Sequence, residues 1–288
     1  MIDISVRKVS TDWSEMPSGL TWYFIGQPKT WKTSAVSKWS KDGADGVLLI
    51  DTDLGADFAD SANVVTATCL NPPVEPVKVD GKMVVDKNGQ QKMKVIPPEK
   101  RGYSYRSGKK KGKPMAVYSL AEIYTWLSKN WEDLPYNAIA IDTVDEINKW
   151  IETIVCNELG IQAMGDGEWG ADWGRARKKN VDLIVRLQKL VKKHGGDLIL
   201  VSHAKQTQIT DGKTQLSPEL PRGLAYSLTA KADVIGYSTI DKEDGKAYVS
   251  FKSYDERAVG SRLKPLSQEK VPFEYESVRK QIITYKEK

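Results

Sequence analysis

An unbroken run, Thr21–Ile25 (TWYFI), passes straight into Gly26-Gln27-Pro28-Lys29-Thr30-Trp31-Lys32-Thr33-Ser34. A continuous run suits a parallel strand covered on both faces better than a half-exposed one. The segment Gly26–Thr33 fits the phosphate-loop pattern of Gly, four residues, Gly, Lys and then Ser or Thr. The match is at Gly26, Lys32 and Thr33, and the departure is at Trp31. Backbone N–H groups of such a loop form an anion site for a di- or triphosphate. Lys32 is expected to neutralise the β- and γ-phosphates, and the Thr33 hydroxyl to ligate magnesium. Glycine normally lets this turn approach the phosphates closely. An indole at Trp31 fits only if its backbone stays in an allowed region and its ring points away. A chance match at an ordinary strand-to-helix turn is the alternative, and the strand before and helix after weigh against it.

Three more continuous runs read as buried strands: Val47–Ile50, Ala138–Ile141 and Leu198–Val201. Helical patterns lie between them, at Thr33–Trp39, Ser119–Asn130, 144–159 and 172–193. Ser119 and Glu122 are spaced as a capping box. Alternating strands and helices predict an α/β fold with a mostly parallel sheet. Strand-like patterns return at Ala247–Phe251 and Gln281–Tyr285. The expected organisation is a nucleotide-binding core over 1–265, carrying a basic insertion at about 74–114, and a short C-terminal β extension over 266–288.

Two strands end in carboxylates. The second runs into Asp51-Thr52-Asp53 and the third into Asp142-Thr143. Asp142 is expected to hold magnesium through water, and Asp51 or Asp53 to act as general base on an attacking water. The alternative is a capping role, with Asp142 or Asp145 at the head of the helix over 144–159. The fourth strand ends in Ser202-His203, where a polar tip can sense a terminal phosphate. A long polar loop, Thr207–Leu224, comes next. Around His203 there is no nucleophile motif to support a hydrolase triad.

Charge is unevenly spread. The 288 residues carry a net charge of +5, yet residues 78–113 hold twelve Lys/Arg against three Asp/Glu, a net +9. That segment suggests a local contact with a polyanion, or else a solvated loop. Asp86-Lys87-Asn88-Gly89 is a turn signal inside it and predicts a protruding β-hairpin. A mobile loop is expected over Arg101–Lys113 (RGYSYRSGKKKGK). Tyr103 and Tyr105 lie there among Arg101, Arg106, Lys109, Lys110 and Lys111. Cationic grooves with stacking aromatics suit single-stranded nucleic acid. Trp169 and Trp173 are expected to anchor a helix to the sheet, with base stacking as the rival role. No run reaches the roughly 18 apolar residues of a membrane helix. The N-terminus lacks a signal-peptide pattern. Cys69 and Cys156, with His194 and His203, offer neither a disulfide scaffold nor zinc spacing, which fits a reducing cytoplasm.

The order GQPKTWKTS, VLLIDTDLGADF, AIAIDTVDE, GADWGRARKKNVDLIVRLQKL, LILVSHAKQ and KADVIGYSTI resembles the phage-encoded RecA-like ATP-binding proteins, among them the Sak-type single-strand annealing ATPases. The resemblance covers roughly 18–265. It implies a RecA-like P-loop core, ATP and Mg2+, single-stranded DNA, and rings or filaments in which one protomer completes its neighbour's site. It further implies DNA recombination in the cytoplasm of a bacterial host cell, with a single-strand binding protein as a possible partner and no membrane. By that resemblance Lys32 and Thr33 take the phosphate and magnesium positions and Asp142 the Walker B position. Asp53 takes the place of a catalytic glutamate, one methylene shorter, and His203 the sensor position. Arg262 takes a basic position that acts across the subunit boundary. Two rival readings are a non-catalytic DNA-binding or assembly protein with this fold, and a helicase-loading ATPase.

Overall fold

The computed structural model describes residues 12–59, 62–208, 214–253 and 258–286. Residues 1–11, the segment that lacks a signal-peptide pattern, and residues 209–213 of the long polar loop lie outside the described residues. No helix among the described residues is long and apolar enough to cross a membrane.

The apolar runs become the middle of one sheet. Its first strands are β1 (Thr21–Gly26), β2 (Val47–Asp51) and β3 (Asn63–Cys69). The basic insertion supplies β4 (Val74–Pro76), β5 (Lys78–Val79), β6 (Lys82–Met83) and β7 (Met93–Val95). Then come β8 (Tyr118–Ser119), β9 (Ala138–Asp142), β10 (Asp197–Gln208), β11 (Thr214–Pro218) and β12 (Val234–Ile240). The last are β13 (Ala247–Ser250), β14 (Gly260–Ser261) and β15 (Val271–Pro272). The main sheet runs β15-β13-β12-β1-β10-β9-β2-β3-β8, with β11 on β10 and β14 on β12. From β12 to β8 every neighbouring pair is parallel. The helices are α1 (Lys32–Val36), α2 (Leu120–Asn130), α3 (Val144–Leu159), α4 (Ala171–Lys193), α5 (Arg222–Thr229) and α6 (Tyr275–Ile283). The expected α/β fold with a largely parallel sheet is the one observed.

Successive strand side chains point to opposite faces. Tyr23 and Ile25 therefore join Leu127, Ile151 and Leu187 of α2, α3 and α4 on one face. Trp22 and Phe24 face the other way and pack with Trp39, Phe273, Val278 and Ile282. Both layers are buried, which is why the strand sequences show no polar alternation. The capping box forms: Ser119 accepts from the Glu122 N–H, and the Glu122 carboxylate accepts from Ser119 N–H.

Four local expectations need correcting. The fourth strand does not end at His203 and Thr207–Leu224 is not one long loop: β10 runs to Gln208, β11 spans Thr214–Pro218 and α5 begins at Arg222. The helix after the phosphate loop is five residues, Lys32–Val36, not Thr33–Trp39. Gln281–Tyr285 is not a strand but the end of α6, because Val278 and Ile282, four apart, bury one helical face. The basic insertion holds an extra hairpin, β5–β6, where Asp80 and Gly81 both take positive φ (48° and 76°). The Asp86–Gly89 turn is present, with Gly89 N–H donating to the Asp86 carbonyl at 3.1 Å.

Candidate functional site

Strand register brings the site together. Gly26 lies beside His203, Asp142 beside Val201, and Asp51 beside Asp142. Gly26, Asp142 and Asp51 end β1, β9 and β2, the edge where loops of a parallel sheet carry ligands, and His203 lies level with them in β10, which runs on to Gln208. A Cβ on Gly26 would stand 2.0 Å from Ser238 Oγ and 2.9 Å from Thr30 Oγ1, so close approach fixes this glycine. Thr30 Oγ1 hydrogen-bonds Ser238 Oγ at 2.8 Å and donates to the Gln27 carbonyl at 2.8 Å. The loop is thereby tied to β12.

Lys32 is buried, and its ammonium donates to the carbonyls of Gly26 (3.0 Å) and Gln27 (2.8 Å). Burial lowers its pKa, against the pull of the Asp142, Asp145 and Asp53 carboxylates. Thr33 Oγ1 donates to Asp142 Oδ2. Trp31 keeps both conditions set for it. Its backbone is left-handed, with φ 60° and ψ 20°, the conformation glycine would adopt most easily. The residue is 61% exposed, so the indole lies on the outside of the loop. Lys29 is also left-handed, at φ 63°. Because α1 is so short, the anion-binding character of this loop rests on Lys32 and the loop N–H groups more than on a helix dipole.

Asp142 is buried, and that burial pushes its carboxyl up to about 6, with the Thr33 hydrogen bond opposing. Asp51 rises to about 7, again chiefly through burial, although Gly55 and Ala56 N–H donate to it. Asp53 is exposed and accepts from Gly55 N–H at 2.9 Å. The two acidic strand ends are latched by Thr52: its N–H donates to the Asp142 carbonyl (2.8 Å), and its hydroxyl donates to the Thr143 carbonyl (2.7 Å) and accepts from the Thr143 N–H (2.6 Å). A magnesium ion suits the residues present. Thr33 and Asp142 are hard oxygen donors already in contact, and Thr143 Oγ1 beside them is buried without a partner among the described residues.

Sequence reasoning offered Asp145 only as an alternative cap for α3. Its side chain does not cap α3, where no side-chain cap is formed. It turns to β10 instead, accepting from Ser202 Oγ (2.6 Å), from His203 N–H (2.7 Å) and contacting His203 Nδ1 (3.0 Å). Tyr23 Oη hydrogen-bonds Ser202 Oγ at 2.8 Å and completes a buried chain. Asp145 raises the pKa of His203. The only sequence trace of this partnership is a second carboxylate three residues after Asp142. Asp145, His203 and Glu219 also bring ligand atoms within 4.8 Å of one another.

Other expected residues lie elsewhere. Arg101 is withdrawn from solvent, which corrects its place in a nucleic-acid contact: its guanidinium, 3% exposed, makes a bidentate pair with Glu122 at 2.8 Å. Arg106 Nε donates to Asp57 at 2.6 Å, and its Nη2 to the Leu54 carbonyl, so it docks the loop over 101–113 on the segment after Asp53. Lys109, Lys110 and Lys111 are exposed, with the Lys110 ammonium 5.3 Å from the Tyr105 ring centre. Tyr103 and Tyr105 are half-buried. Arg262 pairs with Asp233 at 3.0 Å, where β14 joins the start of β12. That is the opposite edge of the sheet from Gly26. Trp169 and Trp173 do not anchor a helix to the sheet: Trp169 is fully exposed at φ 54°, and Trp173 is 41% exposed. Left-handed Trp169 and Gly170 throw that ring outward just before α4 begins.

A strand, a phosphate-cradling loop and a facing acidic strand end, on a parallel sheet, define a nucleotide-binding P-loop NTPase. Residues 18–270 match the family model AAA_24, described as an AAA domain, and the chain belongs to that family. Comparison with curated proteins finds no match.

Proposed function

We propose that this P-loop protein is a magnesium-dependent ATPase that holds single-stranded DNA, in the manner of phage-type recombination and strand-annealing proteins. The observation that carries the nucleotide half is the meeting of Lys32, Thr33 and Asp142 at one sheet edge. Phosphoryl transfer needs positioning and charge neutralisation more than covalent chemistry. Lys32 leaves the Gly26 and Gln27 carbonyls to meet the β- and γ-phosphates. Thr33 and Asp142 would hold the cation, which would supply charge neutralisation to the phosphates. Asp53, exposed and two residues from buried Asp51, orients a water and takes its proton. As the water oxygen bonds to the γ-phosphorus, the bond to the bridging oxygen breaks and ADP leaves. His203, held by Asp145, reads the terminal phosphate.

For DNA, the support is the exposed Lys109–Lys111 run beside Tyr105, together with the outward Trp169 ring. Arg262 lies far from its own phosphate loop, so its expected role requires a neighbouring copy in a homo-oligomer. Titration of MgATP with and without single-stranded DNA, with turnover and particle size as readouts, tests the reading. DNA-stimulated hydrolysis and a size increase are expected. A Lys32→Ala variant that binds and hydrolyses ATP like the parent sinks it.

A further inference from the structure

Asp145, His203 and Glu219 bring a carboxylate, an imidazole and a second carboxylate within 4.8 Å of one another. We propose that these three side chains bind a divalent transition metal, with zinc as the probe, at a site separate from the magnesium position at Thr33 and Asp142. A metal held there fixes the His203 ring.

The donor set separates the two metals. Magnesium takes oxygen ligands in near-octahedral geometry, which Thr33 and Asp142 suit. An imidazole nitrogen beside carboxylates suits zinc and its neighbours instead. Two carboxylates and a neutral imidazole offset the double charge of the ion, and three protein donors leave a fourth position to water. Little movement is needed. Asp145 Oδ2 and His203 Nδ1 stand 3.0 Å apart. Two ligand atoms on a tetrahedral zinc stand about 3.3 Å apart, given bonds of about 2.0–2.1 Å. The metal takes the position of the hydrogen between them, and that proton leaves to solvent.

The donors sit on three elements that the fold already ties together. Asp145 lies in the first turn of α3, His203 in β10, and Glu219 directly after β11. Pairing of β10 with β11 continues into Glu219, whose N–H donates to the His203 carbonyl at 2.8 Å. Support for Asp145 comes from outside the three ligands. Wholly buried Ser202 donates through Oγ to Asp145 Oδ1 at 2.6 Å, and Tyr23 Oη, also buried, bonds Ser202 Oγ at 2.8 Å. One carboxylate oxygen is thereby anchored while the other faces His203, the outer support that orients a metal ligand. Glu219 is exposed and the His203 side chain is 27% exposed, so an ion has an entry from solvent. A metal-bound ring cannot turn to a terminal phosphate, so zinc should slow turnover. That consequence rests on the proposed ATPase reading; the binding itself does not.

The test titrates Zn2+ into the full chain without nucleotide, by calorimetry, and repeats it with Co2+ to read the visible spectrum of the bound ion. Glu219 is exposed, so Glu219→Gln removes a ligand without disturbing the core. We expect Glu219→Gln to weaken zinc about tenfold or more, and His203→Gln to remove both the binding and the tetrahedral cobalt bands. Thr33→Val should leave zinc affinity unchanged. So should Glu132→Gln, which breaks the other histidine–carboxylate pair, His194 Nδ1 with Glu132 at 2.7 Å. With ATP and magnesium present, Glu219→Gln should keep basal turnover and lose the inhibition by zinc. Zinc that binds Glu219→Gln or His203→Gln as tightly as the parent overturns the site, and a loss in Glu132→Gln alone moves the ion to His194. A chain that binds zinc as expected but hydrolyses no ATP overturns the ATPase reading and leaves this site; a chain that hydrolyses ATP but binds no zinc does the reverse.

Discussion

Thr33 Oγ1 donates a hydrogen bond to Asp142 Oδ2, across 109 residues of sequence and with β10 between their two strands. The pair is the point where the loop after β1 and the acidic end of β9 become one site.

Replacing Thr33 by Val keeps the shape and removes the hydroxyl. Magnesium-dependent ATP binding should weaken about tenfold or more, as expected for a charge-assisted contact of roughly 1.5–3 kcal/mol. The fold should survive. Calorimetry with and without magnesium checks this; a loss equal in both conditions would assign Thr33 a structural role only.

Burial of Asp142 sets a pH dependence. Its folded carboxyl ionises at about 6 against 3.8 in the unfolded reference. Its contribution to stability is therefore full below 3.8 and lost as pH rises through about 6. Asp51, at about 7, acts with the same sign. A cation competes with that proton, so magnesium should raise Tm more at about pH 8 than at about pH 5. Asp142→Asn should flatten the difference, and an equal magnesium shift at both pH values would contradict the assignment.

Arg106 ties the basic loop to the Leu54–Asp57 segment that follows Asp53. We expect Arg106→Ala to leave basal ATP turnover within about twofold and to remove most of the stimulation by single-stranded DNA. Turnover measured against DNA concentration reads this directly. Full stimulation in the variant would mean the two loops do not communicate.

With Arg101 and Arg106 engaged by carboxylates, the remaining cations of the loop are Lys109, Lys110, Lys111 and Lys113, all exposed. Four phosphate contacts on a single strand give a log–log salt slope of about −3. Replacing Lys109–Lys111 by Ala should flatten it by about 2. Fluorescence anisotropy across a salt series is the measurement, and an unaltered slope would move the DNA contact away from this loop.

Glu122 both caps α2 and pairs with Arg101, and that pairing depresses its carboxyl to about 2. This contribution is present above the reference value of 4.5 and fades as pH falls toward 2. Glu122→Gln strands a buried guanidinium and should cost about 3 kcal/mol near neutral pH. Denaturant titration should find the gap between variant and parent shrinking in acid.

The sequence by itself determined the parallel core, because runs such as AIAI and LILV without polar alternation are stable only when both faces are covered. It also determined the phosphate loop and the Ser119–Glu122 cap, since these depend on spacing along one short segment. Tertiary structure alone decided that Asp145 serves His203 rather than α3, that Glu122 claims Arg101, and that Trp169 faces outward. Those outcomes depend on which distant partner arrives within hydrogen-bond reach and on the sign of φ at one residue. Residue order carries neither quantity; both arise from strand register and from competition for buried charge.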